Sequence, residues 1–138
     1  CAGSWDVPLR KSGGNGGRKK MKRILVVDDE PAITDALENA FRLDEDYEVI
    51  SSNDGQEGID LLRERHPHLL ILDWRLKGKI QGKDVLLYTK KQSPKILVYV
   101  VTASVHFLKE IEALGANGYF LKPCDDLRDR IKEILPPL

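Results

Sequence analysis

Five short, mostly apolar runs punctuate this chain, each followed by a stretch whose apolar residues return at helical spacing, and that alternation restricts the fold to one class. The runs are Arg23 to Val27, Tyr47 to Ser51, His68 to Leu72, Ile96 to Val101 and Tyr119 to Leu121. Short runs rich in Val, Ile and Leu suit strands covered on both faces. Behind Pro31, which suits a first helical turn, Ile33, Ala36, Leu37, Ala40 and Phe41 share one helical face. Ile59, Leu61 and Leu62 mark a second helix, and Val85, Leu86 and Tyr88 a third. Val105 to Leu114 gives a fourth, capped by Gly115, and Leu127 to Leu135 a fifth, stopped by Pro136 and Pro137. Right-handed crossovers place such helices on both faces of a parallel sheet. The alternation therefore predicts a single-domain α/β fold over 21–138: a doubly wound, five-stranded parallel sheet of (βα)5 form.

In sheets of this kind the working crevice lies beyond the carboxyl ends of the strands. The first run ends in Asp28 and Asp29, the third in Asp73, the fourth in Thr102 and the fifth in Lys122-Pro123. If the first and third strands are neighbours, three carboxylates converge. At about 5 Å and an effective dielectric near 20, each pair repels by roughly 3 kcal/mol, so the cluster costs on the order of 10 kcal/mol. Lys122 supplies one compensating charge, which leaves the cluster short. A hard divalent cation with oxygen ligands is the natural complement, and Mg²⁺ takes one or two carboxylates together with waters and phosphate oxygens. Glu30, by contrast, suits a helix N-terminus, where the backbone dipole favours negative charge.

The motifs VVDDEP (26–31), LLILDWRL (69–76), VVTA (100–103) and GANGYFLKP (115–123) occur in that order. Through them, residues 21–135 resemble a bacterial response-regulator receiver domain, the phosphoacceptor of two-component signalling. The resemblance implies the flavodoxin-like strand order 2-1-3-4-5. It makes Asp73 the residue that takes a phosphoryl group from a histidine kinase or phosphotransfer protein, with Thr102 and Lys122 assisting. It makes Asp28, Asp29, Asp73 and the backbone carbonyl of Arg75 the Mg²⁺ ligands, Asp28 acting through water. Thr102 would bond the phosphoryl group while Tyr119 turns inward, and the peptide before Pro123 would be cis. Output would pass through the fourth helix, fifth strand and fifth helix, a face that also offers a homodimer contact. The protein would be a self-modifying signalling phosphoacceptor rather than an enzyme, with no membrane partner and no direct binding of nucleic acid by this domain.

The chain departs from that family in places. Lys77 stands where proline is usual, and Gly82 comes one residue later than is typical. The span from Thr102 to Gly115 is about two residues short, so the fourth helix is the element least safely carried over. Arg75 and Ser104 occupy positions that tune loss of the phosphoryl group in the family. An aspartyl phosphatase would need a second acid in a D-x-D pattern after the first strand, which DDEP does not supply. A phosphate-independent interaction module is the alternative reading, and the complete set of Asp28, Asp29, Asp73, Thr102 and Lys122 speaks against it.

Residues 1–20 carry five cations against Asp6 alone and are rich in Gly and Ser, so they read as a flexible tag, linker or disordered basic arm outside the fold. GGNGGRK within them lacks the final Gly of a phosphate loop. The two cysteines, Cys1 and Cys124, indicate no disulfide framework, and Cys124 has no partner cysteine in the domain. His66, His68 and His106 show no ligand spacing and read as structural or exposed. No apolar run approaches the roughly 20 residues of a membrane span. The expected location is the cytoplasm.

Overall fold

The structure, a computed structural model, describes residues 2–5 and 21–137. In chain order its elements are β1 (Ala2–Ser4), β2 (Lys22–Val27), α1 (Pro31–Phe41), β3 (Tyr47–Ser52), α2 (Gly55–Arg65), β4 (Leu69–Asp73), α3 (Gly82–Gln92), β5 (Leu97–Thr102), a 3-10 turn (Val105–Phe107), α4 (Leu108–Ala113), β6 (Gly118–Leu121) and α5 (Leu127–Ile134). Among the described residues, six strands form one sheet in the order β3-β2-β4-β5-β6-β1. The five strands from β2 to β6 run parallel, in the 2-1-3-4-5 order that the resemblance implied.

Alternation along the central strands splits the core between two layers. Leu25, Val27, Leu70, Leu72, Val98 and Val100 face α2, α3 and α4. Ile24, Val26, Ile71, Val101 and Phe120 face α1 and α5. All five residues of β4 are buried, so the strand that ends in Asp73 is held on both faces. Each buried aliphatic side chain there contributes about 1.5–3 kcal/mol relative to exposure.

The five parallel strands stand as expected, and the structure adds a sixth from the 1–20 arm, β1, which pairs antiparallel with β6. Ala-Gly-Ser carries no β-branched residue and no alternation. Its extended state comes from the unpaired edge of β6, which offers backbone groups to any strand that fits. Residues 6–20, assigned to the same arm, lie outside the described residues. The fourth helix is not continuous: the chain makes a 3-10 turn before α4, which has only six residues. The Ser104 hydroxyl accepts from the His106 amide at 3.2 Å and tightens this start. Gly115 closes the helix at φ +100°, the left-handed conformation expected of its cap.

The start of α3 rests on the backbone that carries Asp73. A Cβ on Gly82 would lie 2.5 Å from the Asp73 carbonyl oxygen and 2.7 Å from that of Trp74. Backbone cannot yield as a flexible side chain does, so Gly82→Ala is expected to lower stability by about 2–4 kcal/mol. Urea denaturation would measure this, and an unchanged midpoint would show that the β4 terminus moves freely. Among the described residues, no helix is long and apolar enough to cross a membrane.

Candidate functional site

The carboxyl ends of β2 and β4 are adjacent because these two strands pair directly, Val27 opposite Leu72. Asp28 follows β2 and Asp73 ends β4, and both are buried. Asp29, half-buried, completes a cluster in which one carboxylate oxygen from each residue lies within 4.8 Å of the others. Thr102, also buried, ends β5, and the Lys122 amide donates to the Thr102 carbonyl at 2.9 Å. That bond brings the Lys122 side chain over the acids. Its Nζ lies 3.4 Å from Asp73 Oδ1, 3.6 Å from Glu30 Oε1 and 3.8 Å from Asp28 Oδ2. The Lys122-Pro123 peptide is cis.

Asp28 is fixed by its surroundings. Its Oδ1 accepts the Glu30 amide at 2.9 Å, and its carbonyl accepts Asn53 Nδ2 at 2.7 Å. Its Oδ2 is buried and, among the described residues, has no hydrogen-bond partner. Asp29 accepts the Lys77 amide at 3.1 Å. The proline usual at position 77 could not make that bond, so the departure gives the loop an N–H to hold Asp29.

Charge is out of balance here. Burial, followed by the negative charge of Asp28, pushes the Asp73 carboxyl up to about 7 against the pull of Lys122. Burial also raises Asp28. Burial alone would lower Lys122, but Asp73, Asp28 and Glu30 together raise it. A single ammonium therefore does not satisfy the acids. An all-oxygen donor set with one buried, unbonded carboxylate oxygen and surplus negative charge fits a hard divalent cation such as Mg²⁺.

Thr102 and Tyr119 are engaged elsewhere. The Thr102 hydroxyl accepts from the Ser104 amide at 3.1 Å and donates to its carbonyl at 3.3 Å. Tyr119 packs against Trp5, with ring centroids 5.2 Å apart. Arg75 is exposed, and its guanidinium lies 5.4 Å from the centroid of the Phe107 ring. Cys124 Sγ donates to Asp126 Oδ1 at 3.3 Å, and burial raises its thiol, which disfavours a reactive thiolate. His68 Nδ1 accepts the Arg23 amide at 2.9 Å, a structural role.

Glu30 stands at a helix N-terminus as its position suggests but has a second role at the site, and Gln81 carries a role that no sequence motif singled out. Glu30 occupies the N-cap of α1 without a side-chain capping bond, and its carboxylate faces Lys122 instead. Gln81 accepts the Leu76 amide at 3.1 Å and donates to the carbonyls of Leu76 and Gly78 at 2.6 and 2.9 Å. It thereby shapes the loop between β4 and α3. The signal was present in Asp84, three residues on, which accepts the Gln81 amide at 2.9 Å as at a helix start.

Residues 24–134 match the model of the family described as the response regulator receiver domain. Sporulation initiation phosphotransferase F of Bacillus subtilis strain 168 is 31% identical over 119 residues, covering 83% of this chain and 94% of that protein. A nitrate/nitrite response regulator protein homolog of Haemophilus influenzae is 31% identical over 117 residues, covering 81% of this chain and 56% of its own length. The chain thus spans nearly all of the first relative and about half of the second. Among solved structures, a CheY-like receiver domain protein from Methanospirillum hungatei JF-1 matches with a TM-score of 0.75 and 30% identity, covering 83% of this chain and 93% of that one. The response regulator TrrA from Thermotoga maritima, solved in complex with Mg²⁺ and BeF, matches with a TM-score of 0.72 and 32% identity, covering 83% of this chain and 100% of its own.

Proposed function

Because this chain belongs to the response-regulator receiver family, we propose that Asp73 is its phosphoacceptor, taking a phosphoryl group from a histidine kinase or a phosphotransfer protein and so switching the domain. The observation that carries this reading is the convergence of Asp28, Asp29, Asp73 and Lys122 at one rim of the sheet. A carboxylate oxygen of Asp73 forms the new bond to phosphorus as the bond from phosphorus to the donor histidine nitrogen breaks, and the electron pair returns to the imidazole. Lys122 stands beside the attacking carboxylate, placed to neutralise charge on the transferring group. Asp28, Asp29, Asp73 and the Arg75 carbonyl would hold Mg²⁺, which when bound neutralises phosphoryl oxygens.

The Thr102 hydroxyl must leave Ser104 to reach a phosphoryl oxygen. One charge-assisted hydrogen bond is worth about 1.5–3 kcal/mol, whereas moving an equilibrium from 1:99 to 99:1 takes about 5.5 kcal/mol. Phosphorylation through Thr102 alone shifts the population, and a partner or a homodimer through the face of α4, β6 and α5 completes the change. The domain acts as a signalling phosphoacceptor in the cytoplasm.

Acetyl phosphate with Mg²⁺ tests the reading. Intact-mass measurement is expected to show one phosphoryl group, mapped to the peptide containing Asp73. The reactive form is the carboxylate, and Asp73 holds its proton up to about pH 7 when no metal is bound. At limiting Mg²⁺ the rate should therefore climb about tenfold per pH unit below 7 and level above it. Saturating Mg²⁺ should move the midpoint to lower pH. A phosphoryl group on another residue, or none at saturating Mg²⁺, would remove the proposal.

A further inference from the structure

We propose that the outer edge of β6 is a strand-binding site which the chain fills with its own residues Ala2–Trp5, and that this occupancy opposes the phosphorylated state by holding Tyr119. The coupling rests on the proposed phosphoacceptor function together with the inward turn of Tyr119 that the receiver resemblance implies; the strand site does not.

The pairing is specific in both backbone and side chains. Ala2, Gly3 and Ser4 lie opposite Phe120, Tyr119 and Gly118, and the Trp5 amide extends the ladder by donating to the Asn117 carbonyl at 3.0 Å. The Tyr119 ring lies over Gly3, where an added Cβ would meet Cε1 at 2.6 Å and Cζ at 2.8 Å. A Cβ on Gly118 would in turn strike the Gly3 carbonyl oxygen and meet Tyr99 Cζ at 2.7 Å. The Ser4 hydroxyl bonds the Tyr99 hydroxyl. Trp5 packs on Tyr119 at 37° between ring planes and is partly buried against the core. The edge therefore accepts an extended segment with no side chain opposite Tyr119, a small hydroxyl next and an aromatic ring after that. Gly3-Ser4-Trp5 meets all three requirements.

The ring that Gly3 and Trp5 hold is the same ring that the phosphorylated state would reposition. If Tyr119 turns inward, the Trp5 stack and the cover over Gly3 are both lost, so each event disfavours the other by the same factor. A strand that merely protected the β6 edge from aggregation would show no such reciprocity.

The test compares wild type, Gly3→Val and Trp5→Ala as full chains. Without phosphate analogue, hydrogen exchange at Gly118–Leu121 is expected to rise in both variants by about three- to tenfold, the factor that one aromatic pair is worth. Beryllofluoride with Mg²⁺ should bind both variants more tightly by a similar factor, and in wild type should speed exchange at Gly3–Trp5. Unchanged exchange at β6 in both variants would overturn the strand site. Faster exchange with unchanged beryllofluoride affinity would overturn the coupling and leave only a protective strand. Protection that depends on protein concentration would assign the strand to a second copy and overturn the intramolecular arrangement. If beryllofluoride binds none of the three proteins, the phosphoacceptor reading fails together with the coupling, while exchange alone still decides the strand site.

Discussion

Asp73→Asn is expected to abolish phosphoryl incorporation and, in the same molecule, to make the metal-free protein more stable. Removal of the attacking oxygen should cut incorporation from acetyl phosphate by about a thousandfold or more. The stability change follows from where Asp73 gives up its proton. A carboxyl that ionises near 3.8 in an unfolded chain and at about 7 in the fold disfavours folding once it is charged. Its contribution is most favourable below pH 3.8, is lost as pH rises through 7, and is constant above that. At about 1.4 kcal/mol per pH unit, the charged group costs the metal-free fold about 4 kcal/mol at pH 8. Asn keeps the shape without the charge but gives up the attraction to Lys122, so a net gain of about 1–3 kcal/mol is expected at pH 8 and little near pH 4. Mg²⁺ should shrink or cancel this difference, because wild type gains about 2.7 kcal/mol at a hundredfold excess over Kd and the variant gains less. Urea denaturation at several pH values, with and without Mg²⁺, measures all of this. A variant that is less stable than wild type at pH 8 without metal would contradict the charge balance described for the site.

Lys122→Ala should move stability in the opposite direction. The ammonium lies 3.4, 3.6 and 3.8 Å from three carboxylates, attractions of about 4–5 kcal/mol each at an effective dielectric near 20. Desolvation offsets much of that sum, yet removing one partner of a buried charge cluster leaves the others uncompensated and costs about 3 kcal/mol. The loss should be greatest at pH 8 without metal. It should shrink as pH falls, because Asp73 and Asp28 then take up protons, and also when Mg²⁺ is added. Phosphoryl acceptance should slow by about 10²–10³, the effect of deleting one positioned group that stabilises developing charge. Equal or greater stability of the variant at pH 8 without metal would mean that Lys122 does not compensate the acids.

Asp28, Asp73 and Lys122 were legible in the sequence because each ends a buried apolar run, and in a parallel sheet such ends gather at one rim. The strand order was not readable from pattern alone and came through the resemblance. Ala2–Ser4 could not be read, since its conformation is decided by the edge of β6 more than a hundred residues away. Glu30 was legible as an acid at a helix start, but its contact with Lys122 was not, because a partner 92 residues away leaves no mark on the local pattern. The first three residues of the expected fourth helix became a 3-10 turn because the Ser104 hydroxyl captures the His106 amide, a local competition that apolar periodicity does not register.

Gln81 secures the loop after β4 with both ends of its carboxamide, and Asp29 grips the same loop at Lys77. The conformational entropy of that segment is therefore surrendered when the chain folds and not when something docks there. An anion or cation arriving at the rim finds its cradle already formed, so its affinity reflects direct contacts, with little subtracted for freezing the receptor.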